Sequence, residues 1–170
     1  MLNHGIELTT VSDRSAELAN VRQAAEEVVG WLADSPDAAD KPMDEILDPQ
    51  FLGMFAFSKG EAIAYVAQRQ IEPLLREIGS LVVKPNWRRK GFGTRLLDTY
   101  AYDLQTNTFP GSALVAVVHA GSQPVFEAVG FENYQGEIPA DPSGLHERAQ
   151  KTGKALVSRT MADASGPILF

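Results

Sequence analysis

The stretch NWRRKGFGTRLL, residues 86–97, decides how this chain is read. It sits in an acidic protein, in which 22 carboxylates face 15 Lys and Arg for a formal net charge of −7. Yet no Asp or Glu occurs from Ile78 to Leu97, while Lys84, Arg88, Arg89, Lys90 and Arg95 gather around Gly91 and Gly93. Before the stretch, Glu77–Lys84 reads as an apolar strand stopped by Pro85. After it, Gly93, Leu97, Tyr100, Ala101 and Leu104 recur at helical spacing. A strand, a basic glycine turn and a helix start together make an anion site. The first amides of a helix have no partner within it, and the helix dipole makes that end electropositive. Glycine lets the backbone approach a phosphate, and flanking Arg or Lys adds charge-assisted hydrogen bonds.

The choice of anion narrows by spacing. The Walker A pattern GxxxxGK[ST] is absent, because Gly91 and Gly93 lead into Thr94 and Arg95. The dinucleotide pattern GxGxxG fails at Leu96, which holds the third glycine position. What remains is RxxGxG over Arg88–Gly93. The alternative is a surface loop with incidental basic residues on an unrelated α/β domain.

Outward from this unit, Ile6–Val11 reads as a first strand, with Ser12 or Asp13 as a helix cap. Leu18, Val21, Ala25, Val28 and Leu32 then form an amphipathic stripe, with a break or kink expected at Gly30. Asp34–Pro42 reads as a loop, followed by a short helical turn around Met43–Leu47. Phe51–Phe57 and Ala62–Gln68 are strands joined as a hairpin through residues 58–61, and Ile71–Arg76 reads as a linker. Ala113–Val118 is a continuous apolar run, as expected of a strand buried on both faces. Ser122 can cap a short helix ending at Gly130, and Lys154–Met161 reads as a last strand. The expectation is one mixed α/β domain over residues 1–170, built on a central sheet.

Composition excludes several classes. The chain has no cysteine, which removes disulfides, thiolate metal clusters and a cysteine nucleophile, and fits a reducing compartment. The N-terminus lacks a basic segment followed by an apolar core, and the longest apolar runs fall far short of the roughly 18 residues a membrane helix needs. A soluble, cytoplasmic protein without membrane partners is expected. The net acidity argues against nucleic acid, and is compatible with attraction of cationic amines or with solubility alone. His4, His119 and His146 show no metal-ligand spacing, so no metal is expected, and no GxSxG elbow suggests a serine hydrolase.

The RxxGxG stretch and its flanks resemble the GNAT family of N-acetyltransferases. GSLVVKPNWRRKGFGTRLL, residues 79–97, is similar to the family's strand, proline turn, pyrophosphate loop and helix. ALVAVVHAGSQPVFEAVGFE, residues 113–132, looks like its second motif of strand, short helix and Gly-Phe turn. The resemblance implies a mostly antiparallel mixed sheet, flanked by helices and splayed between the 77–84 and 113–118 strands. It implies acetyl-coenzyme A as donor. The pantetheine would run along Leu81, Val82 and Val83, and the diphosphate would lie on Arg88, Arg89, Lys90, Gly91, Phe92, Gly93 and Thr94. Among these, Phe92 fits packing better than ligation. Side chains at Gly91 or Gly93 are expected to obstruct the phosphate.

Direct acetyl transfer needs a base for the acceptor ammonium, donors for the oxyanion and an exit for the sulfur. The first candidate base is Glu77, eleven residues before Arg88, at a spacing similar to that of a catalytic glutamate in the histone-acetylating branch. A carboxylate beside an apolar cleft is suited to that task. Glu72 and His119 are the alternatives, and His119 could instead order the cofactor or a water. The strand amide of Val82 or Val83 would meet the oxyanion. Many relatives protonate the sulfur with a tyrosine where this chain has Phe126, a step typically worth about 10²–10⁴-fold. Tyr134 is a nearby substitute. Two functions follow: an N-acetyltransferase acting on a primary amine of a small molecule or peptide, or a GNAT-like acyl-CoA-binding or protein-interaction module with weak or no turnover. The acceptor would be chosen by residues 30–49 and 134–154. The apolar tail Pro167–Phe170 is a candidate homodimer contact, with packing on its own domain as the alternative.

Overall fold

In the computed structural model, the residues described are 5–35, 38–134 and 144–160. Strands β1 (Ile6–Thr10), β2 (Met54–Ser58), β3 (Glu61–Glu72), β4 (Leu75–Val83), β5 (Ala113–Val118), β6 (Glu132–Asn133) and β7 (Ala155–Arg159) form one sheet in the order β1-β2-β3-β4-β5-β7-β6. Every pairing is antiparallel except β4 with β5. The helices are α1 (Ala19–Ala33), α2 (Met43–Ile46), α3 (Phe92–Asp103), α4 (Gln123–Ala128) and α5 (Leu145–Thr152).

The strand alternation sorts side chains into two cores. Phe55, Phe57, Tyr65 and Val82 meet Val21, Ala25, Val28 and Leu32 of α1. Ile63, Val66, Ile78, Leu114 and Ala116 meet Leu96, Leu97, Tyr100 and Leu104 behind α3, together with Phe126 and Phe131. Each Val, Leu, Ile or Phe among them contributes about 1.5–3 kcal/mol on burial. The central strands are therefore apolar on both faces. That explains why Ala113–Val118 is a continuous run rather than an alternating one.

Four local expectations change. α1 runs through Gly30 without a break. Gly30 is exposed, and the buried neighbours Val28, Trp31 and Leu32 outweigh the ~1 kcal/mol that glycine costs a helix. α1 also starts later than Ser12 or Asp13 suggested: a 3-10 turn covers Ser15–Glu17, and Leu18 is an extended cap residue, 49% exposed. The second strand begins at Met54, since Pro49–Phe51 forms another 3-10 turn. Finally, Ile71–Arg76 is no linker. β3 continues to Glu72 and β4 starts at Leu75, leaving Pro73-Leu74 as the turn. Arg76 reads as polar but is buried, donating to Gln68 Oε1 at 3.1 Å with its guanidinium 3.0 Å from the Phe109 ring centroid. Met161 and the Pro167–Phe170 tail lie outside the described residues, as do His4 and residues 135–143 of the 134–154 connection.

Candidate functional site

β4 and β5 pair over only three positions, Leu75 with Ala113, Arg76 with Leu114 and Glu77 with Val115. Beyond them β4 runs on to Val83 and β5 to Val118 with no ladder between the two. The sheet splays there, as the resemblance implies. On its other edge β4 keeps its ladder with β3, but Tyr65 faces Val82 while Ala67 faces Gly79, so β4 carries one extra residue. Ser80 takes that strain at φ +60°, a left-handed conformation costing about 1 kcal/mol or more for a residue with a side chain. Bulges of this kind twist a strand and re-aim its peptide groups. A cavity of about 590 Å3 opens into the splay, and its walls include Glu77, Ser80, Leu81, Val82, His119 and Ser122.

The glycine turn follows directly from the open end of β4. Lys84 donates its amide to Ile63 O, Pro85–Trp87 makes a 3-10 turn, and α3 begins at Phe92. Arg89 lies at φ +60° and Gly91 at φ +82°, two left-handed residues that curl the chain before the helix. Among the described residues, no protein acceptor meets the amides of residues 89–94. The reason for each glycine differs from steric relief of a phosphate alone. A Cβ at Gly91 would touch no protein atom, so its demand is the positive φ. A Cβ at Gly93 would lie 3.2 Å from Val83 Cγ2, so its demand is close packing of helix on strand.

The side chains of the turn divide the work. Arg88 Nε donates to Val83 O at 2.9 Å, so this cation also ties the turn to the strand it leaves. Lys90 Nζ lies 5.3 Å from the Trp87 ring centroid, and Trp87 meets Phe92 edge-on at 5.1 Å. Phe92 is buried in the α3 core, as its packing role requires. Leu81 and Val82 line the cavity, whereas Val83 and the turn residues Arg88, Arg89, Lys90, Gly91, Phe92, Gly93 and Thr94 are not part of its lining.

Glu77 and His119 share the cavity wall. The surroundings of Glu77 are ionic rather than apolar. Its Oε2 accepts from Arg69 Nε at 2.5 Å and its Oε1 from Arg148 Nη2 at 2.9 Å, with the carboxylate largely buried. His119 Nε2 lies 2.6 Å from Ser122 Oγ, and its Nδ1 accepts the Gly121 amide at 3.2 Å. Phe126 also lines the cavity, its ring edge-on to Phe131 at 5.1 Å. Glu72 ends β3 at the hairpin and is not part of the lining, and Tyr134 packs instead beside Val115, Leu145 and Leu156. Among the described residues no cluster of His, Cys, Asp or Glu can hold a metal ion, and no helix is long and apolar enough to cross a membrane.

Sequence reading missed four contributors. Arg69 and Arg148 reach Glu77 from strand and helix positions 8 and 71 residues away, and nothing local signals that meeting. The bulge at Ser80 did have a signal, Gly79 inside an apolar strand. Ser122 reads only as a cap in the sequence, yet its side chain makes no cap hydrogen bond and turns to His119.

A sequence model described as the acetyltransferase (GNAT) family matches residues 17–131. No curated protein sequence matches significantly. Among solved structures, N-acetylglutamate synthase from Neisseria gonorrhoeae, complexed with coenzyme A and N-acetyl-glutamate, superposes with a TM-score of 0.70 at 15% identity. That match covers 92% of this chain and 35% of the synthase, so the chain spans about a third of that protein. Tetrahymena GCN5 superposes with a TM-score of 0.66 at 15% identity, over 96% of this chain and 98% of that one. A GNAT-family acetyltransferase from Staphylococcus aureus Mu50 gives 0.63 at 11% identity, over 92% and 99%. At such identities the likeness speaks for the fold.

Proposed function

The chain belongs to the GNAT acetyltransferase family, and from that premise we propose that it transfers the acetyl group of acetyl-coenzyme A directly to a primary amine of a small molecule or peptide. The observation that carries the reading is the continuity of two open backbone surfaces. The unpaired edge of β4 beyond Glu77 leads, through the 3-10 turn at Pro85–Trp87, to the amides of residues 89–94. A pantetheine amide needs strand edges with free donors and acceptors, and a diphosphate needs clustered amides at a helix start. Arg89 and Lys90 supply charge beside those amides, while Arg88 holds the turn against Val83.

In this reading the β4 amides near the Ser80 bulge stabilise the oxyanion as the acceptor nitrogen attacks. Glu77 receives the nitrogen's proton directly or through water, and Arg69 and Arg148 keep its carboxylate aimed at the cavity. N-acetylglutamate synthase from Neisseria gonorrhoeae is complexed with N-acetyl-glutamate in one structure and with L-arginine in another. The acceptor here is an amine small enough to enter the splay between β4 and β5.

Two measurements test the proposal. Acetyl-coenzyme A should raise the melting temperature, since a ligand at about 100 times its Kd stabilises the native state by ~2.7 kcal/mol. A panel of amines, amino acids, amino sugars and peptides should then release coenzyme A thiol above background. No thermal shift at millimolar donor overturns the reading. A shift without thiol release across a broad panel favours the binding module, the second reading that the buried phenyl ring of Phe126 keeps open.

A further inference from the structure

Phe126 cannot donate a proton, so an enzyme built on this cavity needs another group to meet the departing sulfur. The residue one helical turn earlier, Ser122, faces the same cavity. Its hydroxyl is not used to cap α4, and its only side-chain partner among the described residues is His119. The direction of that hydrogen bond follows from the other side of the ring. The Gly121 amide can only donate, so Nδ1 must accept and carry no hydrogen. The ring hydrogen therefore sits on Nε2 and is donated to Ser122 Oγ at 2.6 Å. With one lone pair occupied in this way, the Ser122 O–H is left to point elsewhere. Gly121 makes the arrangement possible: a Cβ there would lie 3.1 Å from His119 Cε1.

We infer that Ser122 donates the hydrogen bond that stabilises the leaving thiolate, and that His119 is a positioning residue that holds the hydroxyl in donor orientation. The inference rests on the acetyltransferase reading above. The acceptor nitrogen's lone pair forms the C–N bond, and the C–S pair leaves on sulfur. Nitrogen loses one proton to Glu77 or solvent, and the sulfur, held by the Ser122 O–H, takes one proton from water. Thioester and amine thus become amide and thiol. No proton need leave His119, which spares it an unfavourable imidazolate.

The test uses coenzyme A itself and needs no knowledge of the acceptor. Thiolate absorbs in the ultraviolet where thiol does not. The full chain is titrated with base after saturation with coenzyme A, and the same titration with acetyl-coenzyme A, which lacks a free thiol, is subtracted. Glu77, Arg69, Arg148 and Lys154 share the cavity and act equally on wild type and variants. In Ser122→Ala the bound thiol should ionise about one pH unit higher than in wild type, the tenfold loss expected for one hydrogen bond to a charged group. Ser122→Thr should restore the wild-type value. His119→Gln, whose amide still donates to Oγ, should lie near wild type, and His119→Ala near Ser122→Ala. Coincident curves for wild type and Ser122→Ala, with coenzyme A stabilising both, overturn the inference and leave the acetyltransferase reading standing. Failure of coenzyme A to stabilise either protein overturns both.

Discussion

Glu77 and Val115 are the last residues at which β4 and β5 face each other as paired strands. The cavity and the glycine turn lie on the open side of that pair. There the sheet has edges in its own middle, where a sheet normally has none. The β4 edge is bulged at Ser80, and the β5 edge ends in His119 and the Ser122 turn.

Glu77→Gln should reduce turnover by about 10²-fold while leaving the thermal shift with acetyl-coenzyme A in place. Because Arg69 and Arg148 lose their shared anion, stability should also fall by about 1–3 kcal/mol. Denaturant unfolding and steady-state rates separate the two effects. Unimpaired turnover would remove Glu77 from the proton path and leave it an anchor for two arginines.

Gly91→Glu should abolish stabilisation by acetyl-coenzyme A. The substitution places a carboxylate where the diphosphate belongs, at a residue whose φ of +82° already disfavours any side chain. Gly91→Ala isolates the backbone part, with an expected stability loss of about 1–2 kcal/mol and a weaker but measurable thermal shift. An undiminished shift in Gly91→Glu would move the diphosphate to another surface.

Ser80→Gly should raise stability by roughly 1 kcal/mol, since glycine occupies the left-handed conformation at φ +60° without strain. Ser80→Val should do the reverse and shrink the acetyl-coenzyme A shift, because a β-branched residue resists the bulge. Equal melting temperatures for wild type and both variants would show that the bulge stores no strain.

Lys84 donates to Glu61 at 2.8 Å and to Glu27 at 3.0 Å, joining β3 and α1 to the base of the glycine turn. The hydrogen bond to Glu61, then that to Glu27, raises its pKa above the ordinary 10.5, against a smaller lowering from partial burial. A raised folded-state value means that the contribution is whole below the unfolded-state pKa and disappears as pH climbs through the folded one. Lys84→Met should therefore cost about 0.5–1 kcal/mol at neutral pH. The difference from wild type should close as the pH rises above 10.5. A difference that persists at strongly alkaline pH would mean that packing of the lysine stem, not its charge, is what stabilises.

What the sequence reveals is local. The Glu77–Lys84 strand, the turn at Gly91–Gly93 and the helix after it occupy adjacent positions, so their composition and spacing carry the signal directly. Ser12 and Asp13 show where that signal fails: both are good caps by type, but burial of the α1 stripe sets the start of the helix at Ala19. Arg76 misleads for the opposite reason. A charge reads as loop until Gln68 and the face of Phe109 satisfy it inside the sheet.

Composition and spacing along the chain were enough to reveal the family-like core, the basic glycine turn between strand and helix, and the lack of any cysteine side chain. The electrostatics of the cavity came from the fold. It surrounded Glu77 with Arg69 and Arg148 in place of an apolar cleft, and turned Ser122 from a cap into the partner of His119. The physical reason is range. Backbone conformation answers to neighbours within a few residues, whereas the state of a charge or a hydroxyl answers to whatever the fold brings within about 3 Å, from any distance along the chain.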